Sequence, residues 1–386
     1  MHKNIKYFPG LSALRFFAAF FVLMHHSETI RKKYGLFNLE AFSLFQNGST
    51  AVSFFFVLSG FLISYLLLKE DRDRGGISVK AFYWRRVVRI WPLYFLLVAI
   101  GLYLVPFGLK LIHFNYPMPY IPNQVLPYFL LFMPFMVNIL FGSSLLEPLW
   151  SIGVEEIFYL IWAPLMKFFH KHMLNLFVAI ILIKTALMTL FFYFINVEPN
   201  STWDIVKQVI DILKFEAMAI GGVGAYLVYY ASKDKRHWKI FSPVFQVVCL
   251  ILLFLRVALH HELIASETVF GDVYSVIFAK PVLSNLVLYV LFLWLIVNVS
   301  MNPKSFLKLE KKWLNSLGDV SYGIYMYQML IIFAVVLVLK KHLMAMTPIP
   351  STILFYFMIA GVTIGISYLS KYLFENQFLK LKGLVK

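Results

Sequence analysis

An arginine and a histidine interrupt the first strongly apolar segment of the chain, LSALRFFAAFFVLMHH (residues 11–26). Arg15 and His26 are eleven residues apart, which is about three full turns of an α-helix, so both side chains fall on one face, roughly 16 Å apart. His25 is turned about 100° away. A charge inside a bilayer costs at least about 2.5–3.5 kcal/mol. An ordinary histidine at a helix end remains possible, but the aligned arginine favours a functional base.

An acidic pair enters a later apolar segment, PLWSIGVEEIFYLIWAPL (residues 148–165). Tyr159 follows Glu155 by four residues and Glu156 by three, so it shares their helical side. Carboxylates near a helix N-terminus also interact favourably with its dipole, which is the simpler explanation. A carboxylate that orients an imidazole is a common base arrangement. We therefore expect Glu155 at the depth of His26, with Trp150, Ser151 and Glu156 in support.

Arginines cluster in the segment FYWRRVVRIWPLY (residues 82–94). Arg85 and Arg89 are four residues apart on one helical face, and Arg86 stands beside them. Clustered guanidinium groups bind phosphate through their fork geometry, although such a cluster can also be a plain membrane anchor. Tyr94 marks the entry to the membrane. The cluster is a candidate anion site.

Two further segments carry polar residues among apolar ones. FFFVLSGFLIS (residues 54–64) contains Ser59 and Gly60, which favour close helix packing; a serine nucleophile would need a base in reach. LGDVSYGIYMYQ (residues 317–328) contributes Ser321, Tyr322, Tyr325 and Gln328, whose spacing also suits packing. Glu216 is another charge near the start of an apolar segment, and Glu375 follows the last one.

The composition identifies the class of protein that must position these residues. The 386 residues are 61% hydrophobic and 14% charged, against about 25% charged in soluble proteins. We predict an all-α polytopic membrane bundle in one domain covering residues 1–386. About ten spans fit the length. The predicted spans are 11–30, 50–68, 88–107, 154–170, 174–195, 212–231, 240–259, 282–299, 320–340 and 351–373.

Basic residues decide how the ambiguous apolar stretch 126–141 is read. It is short, contains Pro127 and Pro134, and is predicted to be re-entrant or interfacial rather than spanning. Ten spans then place both termini and the basic loops in the cytoplasm. Those loops are 1–10 with Lys3 and Lys6, 69–89, 170–173, 232–239 with Lys233, Lys235 and Arg236, 300–319, and the tail. The outer loops keep Arg31, Lys32, Lys33, Lys110 and Lys207.

The remaining composition excludes several partners. A net charge of +16 would suggest nucleic acid in a soluble protein, but here it fits basic loops and anionic lipid, so no nucleic acid is expected. The single Cys249 gives neither a disulfide framework nor a cysteine metal site, and no metal is expected. The apolar segment after Lys3 and Lys6 has no small-residue cleavage site, so it reads as a retained anchor.

Together these blocks resemble the acyltransferase-3 family of membrane acyltransferases. The first span of that family has an arginine, ten residues, then a histidine, which here are Arg15 and His26. The serine–glycine, arginine, glutamate-pair and tyrosine blocks follow in the order of the family. The resemblance runs from about residue 7 to 378. Each block alone is weak evidence, whereas five in order are strong evidence.

The resemblance implies acyl transfer, most often of acetyl, from cytoplasmic acyl-CoA to a hydroxyl of a cell-surface polysaccharide or glycolipid in the bacterial inner membrane. It implies His26 as catalytic base or acyl relay, with Arg15 and the basic loop handling the donor. Arg85, Arg86, Arg89, Tyr94 and Ser59 are the predicted donor-binding residues. The chain resembles members without a fused SGNH-type esterase domain. Gln328 stands where the family often has histidine, so no role of that histidine carries over. Near the C-terminus, Glu375, Asn376 and Gln377 stand where the family often has Glu-x-Pro.

Two other functions use the same residues. A transporter or flippase could line a pathway with Arg15, His26 and Glu155 without any chemistry. A glycan ligase or polymerase is a weaker alternative, because the longest outer loops here are modest. The sequence leaves the acceptor, the acyl group and the oligomeric state open.

Overall fold

A computed structural model describes residues 7–195, 197–199, 201–230 and 239–384, and this part of the chain contains helices and no strands. The helices, in chain order, are α1 Leu11–Lys33, α2 Gly48–Arg74, α3 Val79–Ala99, α4 Val105–Leu111, α5 Pro122–Leu130, α6 Pro134–Phe141, α7 Leu149–Phe168, α8 Met173–Thr189, α9 Thr202–Ile212, α10 Phe215–Tyr230, α11 Pro243–Ala258, α12 His260–Ile264, α13 Val269–Phe278, α14 Pro281–Met301, α15 Lys312–Asp319, α16 Ser321–Ala345, α17 Pro348–Ser370 and α18 Asn376–Leu379. The predicted all-α polytopic architecture is confirmed.

Eight helical stretches of the described chain are long and apolar enough to cross a membrane. They are Gly48–Arg74, Val79–Leu111, Leu149–Phe168, Met173–Phe194, Thr202–Tyr230, Pro281–Met301, Ser321–Ala345 and Pro348–Leu384. Each corresponds to a predicted span. The other two predicted spans are also helices, but α1 carries charged and histidine side chains along its length, and α11 has only 16 residues.

Side-chain contacts give the direction of the helices on either side of the ambiguous segment. Tyr83 of α3 donates to the carbonyl of Leu160 in α7, and further along Trp91 donates to Glu156. Since the numbering rises along α3 while it falls along α7, the two helices are antiparallel. The chain between them therefore leaves and re-enters the bundle at one end. There α5 and α6 form a short helical pair, and the predicted non-spanning character of residues 126–141 is confirmed.

The bundle has two ends that differ in chemistry. We call the end that holds Arg86 and the α2–α3 turn the arginine end, and the opposite end, where α1 finishes, the histidine end. Gly318, just before α16, packs against Ser12 at the start of α1, and Ser367 at the end of α17 packs against Gly323. Helix α1 therefore begins at the arginine end, and helix α17 ends there.

Glycines allow α2 and α10 to pack in near-backbone contact. A Cβ atom on Gly60 would lie 2.0 Å from the carbonyl oxygen of Met218, and one on Gly221 would lie 2.1 Å from that of Val57. Such distances exclude any side chain at either position. The close packing expected at Gly60 is therefore present, and it fixes the position of the neighbouring Ser59.

One charged residue assigned to an outer loop lies instead inside the bundle. Arg31 belongs to α1 and is 1% exposed, because α1 continues to Lys33. Its guanidinium forms a 2.9 Å ion pair with Glu28 and donates to Thr352, while Tyr356 donates to the same carboxylate. Both charged side chains therefore have further hydrogen bonds besides the ion pair, which offset the cost of removing two charges from water.

Two further observations concern the ends of the chain and one loop. Glu375, which follows the last predicted span, accepts a 2.9 Å hydrogen bond from the Ser370 hydroxyl. The loop charges Lys3, Lys6, Lys233, Lys235 and Arg236 lie outside the described residues.

Candidate functional site

A cavity of about 350 Å³ opens among α1, α2, α3, α7 and α16. Arg86 and Arg89 line it at the arginine end, and Ser151 and Tyr325 line it toward the middle of the bundle. Arg15, on the cavity-facing side of α1, lies between these levels. Ser59 lines it as well, so the cavity gathers residues from all five sequence blocks.

The three arginines of this cavity have no carboxylate partner. Arg15, Arg86 and Arg89 form no ion pair within the described chain. The guanidinium of Arg86 stacks over Phe82 and Tyr159 at 5.6 and 5.7 Å, and its buried Nε has no hydrogen-bond partner. Guanidinium groups that face one cavity and form no ion pair make a site for an anion with several oxygens.

Arg85, the fourth arginine of the block, has a different environment. It forms a 2.8 Å ion pair with Glu70 and does not line the cavity. Glu70 also accepts from the backbone N–H of Ser78, so the pair closes the turn between α2 and α3. The expected role of Arg85 in donor binding is therefore not supported by its position.

A hydroxyl–carboxylate cluster occupies the cavity beside Arg15. The Ser59 hydroxyl donates a 2.9 Å hydrogen bond to Oε1 of Glu155, and the Tyr159 hydroxyl donates one of 2.9 Å to Oε2. Arg15 is close enough to Glu155 for their charges to interact. The helical spacing that places Tyr159 next to Glu155 was visible in the sequence, whereas the contact with Ser59 was not.

The expected contact between Glu155 and His26 is wrong. His25 packs against Gly48 at the start of α2, and Ser59, which contacts Glu155, lies eleven residues further along the same helix. Eleven residues of α-helix span about 16 Å, so Glu155 lies far below the histidine pair. The depth of Glu155 was predicted from its distance to the start of its helix. That prediction is wrong because the helices of the bundle begin at different levels.

His26 lies in a separate, tighter environment at the histidine end. It is 9% exposed, and its buried Nδ1 has no hydrogen-bond partner. The side chain of Gln328 on α16 faces the imidazole, and His25 is adjacent with ring centroids 5.4 Å apart. His25 Nδ1 lies 3.3 Å from the carbonyl of Phe45.

Tyr325 separates the cavity from His26. Its hydroxyl lies 2.7 Å from that of Ser151 and donates to the carbonyl of Pro148 at 2.9 Å. Gln328 is one turn further along α16, and its amide Nε2 donates to the Tyr325 carbonyl. Ser151, Tyr325 and Gln328, which the sequence offered separately as supporting residues, therefore form one connected group between the cavity and the histidine.

The other predicted residues hold the walls of the site. The buried Tyr94 hydroxyl donates a hydrogen bond to the Phe129 carbonyl and so connects α3 to α5. Tyr94 does not line the cavity. Tyr322 lines the cavity and donates to the Ile90 carbonyl. Ser321 donates to Gly318.

Two aromatic contacts flank the acidic pair. Glu156 does not line the cavity and accepts a 3.0 Å hydrogen bond from the Trp91 indole. The Trp150 ring packs edge-on to Phe56, a cavity-lining residue, with centroids 6.0 Å apart. Trp150 therefore supports the wall from behind.

Sequence reasoning missed two contributors at the arginine end. Lys382, in the helical tail, lies close enough to Arg86 and Arg89 for their charges to interact. Glu70 neutralises Arg85. Each meets the cluster only through folding, and no spacing in the sequence indicates it. The described residues contain no group of three or more His, Cys, Asp or Glu side chains placed to hold a metal ion.

Residues 8–372 match the model of a protein family described as an acyltransferase domain. Among curated relatives, a peptidoglycan O-acetyltransferase of Listeria monocytogenes is 31% identical over 174 residues, which are 44% of this chain and 26% of the relative. A putative peptidoglycan O-acetyltransferase of Bacillus subtilis is 30% identical over 167 residues, or 42% of this chain and 24% of the relative.

A putative O-acetyltransferase of Staphylococcus aureus is 34% identical over 99 residues, which are 26% of this chain and 14% of the relative. The matched part therefore spans about a quarter or less of the length of these curated relatives. No solved structure matches the chain.

Proposed function

Because this chain belongs to the acyltransferase-3 family, we propose that it is a multi-pass membrane O-acetyltransferase that uses acetyl-CoA and a cell-envelope glycan. Family membership and the enzyme class, an acyltransferase, were expected from the order of the five motifs, and the match over residues 8–372 confirms both. The observation that carries the finer proposal is the cavity with three unpaired arginines.

The arginine end binds the donor in this proposal. The phosphates of CoA carry several negative oxygens, and guanidinium forks bind such groups with charge-assisted hydrogen bonds. Arg86 and Arg89 are available for that purpose, since no ion pair in the described chain occupies them, and Arg15, whose charge interacts with that of Glu155, faces the same cavity. Lys382 adds a cation at the same end. The part of the cavity lined by Phe55 and Tyr325 accepts the acyl-bearing arm.

Glu155 belongs to the donor side in this proposal. Its carboxylate is bound by Ser59 and Tyr159 and stands beside Arg15. A negative group there holds the Arg15 guanidinium in place and can accept a hydrogen bond from an amide of the donor. A serine nucleophile needs a base as its hydrogen-bond partner, and Ser59 has Glu155 in that position. The same hydrogen bond is also one of the two that stabilise the Glu155 carboxylate, which is the role assigned to Ser59 here.

His26 performs the proton transfer in this proposal. The acceptor hydroxyl oxygen attacks the thioester carbonyl carbon, and the imidazole takes the hydroxyl proton. The carbon–sulfur bond then breaks, and the CoA thiolate leaves through the arginine end. General base help of this kind is worth about 10²–10⁴-fold. The alternative, in which His26 carries the acyl group transiently, uses the same residue and the same two ends.

The orientation follows from charge. The last turns of α2 and the first turns of α3 are rich in lysine and arginine, which favours the cytoplasm for the arginine end and for both termini. The histidine end then faces the outside of the inner membrane, where a polysaccharide or glycolipid acceptor is available. Two relatives are named for peptidoglycan, which makes that polymer the first acceptor to try.

Purified protein in liposomes, given radiolabelled acetyl-CoA and a peptidoglycan fragment, tests the proposal. We expect acetyl-CoA consumption and label on the fragment, with a mass gain of one acetyl group. Transport of the fragment without loss of the acetyl group from CoA would instead support a transporter or flippase and overturn the enzymatic role. The same assay with succinyl-CoA tests the choice of acyl group.

A further inference from the structure

Two polar groups without partners are buried next to each other beside the catalytic candidate. Nδ1 of His26 is enclosed and forms no hydrogen bond within the described chain, and the same is true of Oε1 of Gln328. Gln328 is 0% exposed and faces the imidazole. Most buried polar atoms in native proteins have a partner, so two unpaired ones in adjacent side chains call for an explanation.

The amide of Gln328 is already fixed at its other end. Its Nε2 donates a 3.0 Å hydrogen bond to the Tyr325 carbonyl one turn earlier in α16. With the donor end of the amide occupied, the acceptor end remains for another group. A buried acceptor without a partner is destabilising.

The imidazole has the matching requirement. A neutral histidine has one ring nitrogen that carries a proton and donates, and one without a proton that accepts. The hydrogen-bond partner of the N–H group decides which of the two nitrogens carries the proton. Nδ1 is the enclosed nitrogen, so it cannot reach a substrate hydroxyl. If Nδ1 carries the proton, Nε2 is left as the base.

We propose that Gln328 is the positioning residue of His26. The two unpaired atoms are not in hydrogen-bond geometry in this structure, but a small rotation of either side chain lets Oε1 of Gln328 accept a hydrogen bond from Nδ1–H of His26. That bond leaves Nε2 of His26 as the nitrogen that receives the acceptor proton. This inference rests on the acyltransferase function proposed above and replaces Glu155 in the orienting role. An amide is neutral, so it fixes the tautomer and the ring orientation without adding a charge to a buried site.

The proposal also couples the two halves of the site. The Tyr325 backbone accepts the hydrogen bond of the Gln328 amide, while Tyr325 is also one of the residues that line the donor cavity. A residue of the proposed acyl-binding space therefore anchors the partner of the histidine. The acyl group and the base are aligned through one turn of α16.

Gln328→Met tests the inference, because methionine has a similar length and no strong acceptor. In the acetyl-transfer assay we expect kcat to fall about tenfold, as loss of one hydrogen bond predicts, while KM for acetyl-CoA stays unchanged. Thr363→Val is the matched control: Thr363 is 0% exposed, has an unpartnered hydroxyl and lies on the neighbouring α17. It should leave kcat unchanged.

Gln328→Glu separates a positioning role from a purely structural one, because only a positioning role predicts a change in the pH–rate profile. It keeps an acceptor for Nδ1–H, so activity should return, but its negative charge favours the imidazolium. The acidic limb of the pH–rate profile should then move to higher pH relative to the natural protein, while Thr363→Val keeps that profile. Wild-type kcat and an unshifted pH profile in both Gln328 variants would overturn the inference. Should Gln328→Met fail to fold, the pH profile of Gln328→Glu decides alone.

The two proposals fail in different ways. If the natural protein consumes no acetyl-CoA, the proposed function is wrong. If the natural protein transfers acetyl and Gln328→Met does so equally well, only the positioning role is wrong.

Discussion

The Ser59 hydroxyl donates a 2.9 Å hydrogen bond to Oε1 of Glu155, across the interface of α2 and α7. This contact places the carboxylate beside Arg15 in the arginine-lined cavity, about 16 Å along the bundle from the level of His25 and Gly48. A glutamate in that position can act on the donor or on Arg15. It is too distant to orient the His26 imidazole.

Glu155→Gln should therefore impair donor use rather than proton transfer. We expect KM for acetyl-CoA to rise about tenfold, because Arg15 loses its neighbouring charge, while the pH dependence of kcat keeps its shape. Glu156→Gln is the matched control, since an amide oxygen can still accept from Trp91 and Glu156 does not line the cavity. A large fall in kcat at unchanged KM in Glu155→Gln would contradict this assignment.

Two adjacent arginines should differ in their effect on donor binding. Arg86→Gln removes a guanidinium that faces the cavity without an acidic partner, and a charged hydrogen bond is worth about 1.5–3 kcal/mol, so the Kd for CoA should rise at least about tenfold. Arg85→Gln breaks only the ion pair with Glu70 at the turn. Calorimetric titration with CoA measures both, and equal losses would argue against the cavity as the donor site.

His26→Ala should abolish acetyl transfer while the protein still inserts into the membrane and binds CoA. The reason is that His26 is the proposed base but lies outside the donor cavity. Radiolabelled transfer and CoA titration on the same preparation separate the two steps. His25→Ala, which alters a side chain bound to the Phe45 carbonyl, is the neighbouring comparison. Substantial residual transfer in His26→Ala would remove it from the mechanism.

Gly60→Ala should destabilise the bundle strongly. Its Cβ would lie 2.0 Å from the Met218 carbonyl oxygen, so α2 and α10 must move apart. Gly361→Ala in α17 meets no atom within 4 Å and should be neutral or slightly stabilising, since alanine favours helix. Thermal unfolding in detergent compares the two. An unchanged Tm in Gly60→Ala would show that the helices are not packed this closely.

Glu310 should stabilise the start of α1 in a pH-dependent way. Burial opposes ionisation, but hydrogen bonds from the Gly10 N–H at 2.7 Å, Asn315 and Tyr7 outweigh it and lower the pKa of Glu310. Stability from a lowered carboxyl pKa is present above the unfolded value, about 4.3, and is lost as pH falls through the folded value. Glu310→Gln should lower the Tm at pH 7, and the difference should shrink toward pH 4.

Much of the architecture could be predicted because membrane spans are local. About 20 apolar residues in a row must become a helix in lipid, since no water is present to satisfy the backbone. The prolines in 126–141 predicted its failure to span for a similar local reason. Arg31 escaped prediction because its burial depends on Glu28, Thr352 and Tyr356, and only the first of these is nearby in sequence.

By itself the sequence determined the helical membrane class, the alignment of Arg15 with His26 on one face, and the order of motifs that identifies the family. These are properties of helical period and composition, which act within a segment. Only the tertiary structure decided which polar residues meet. It separated Glu155 from His26, paired Arg85 with Glu70, and brought Gln328 to the imidazole. The relative height of two helices is set by packing between them, and no spacing along one helix records it.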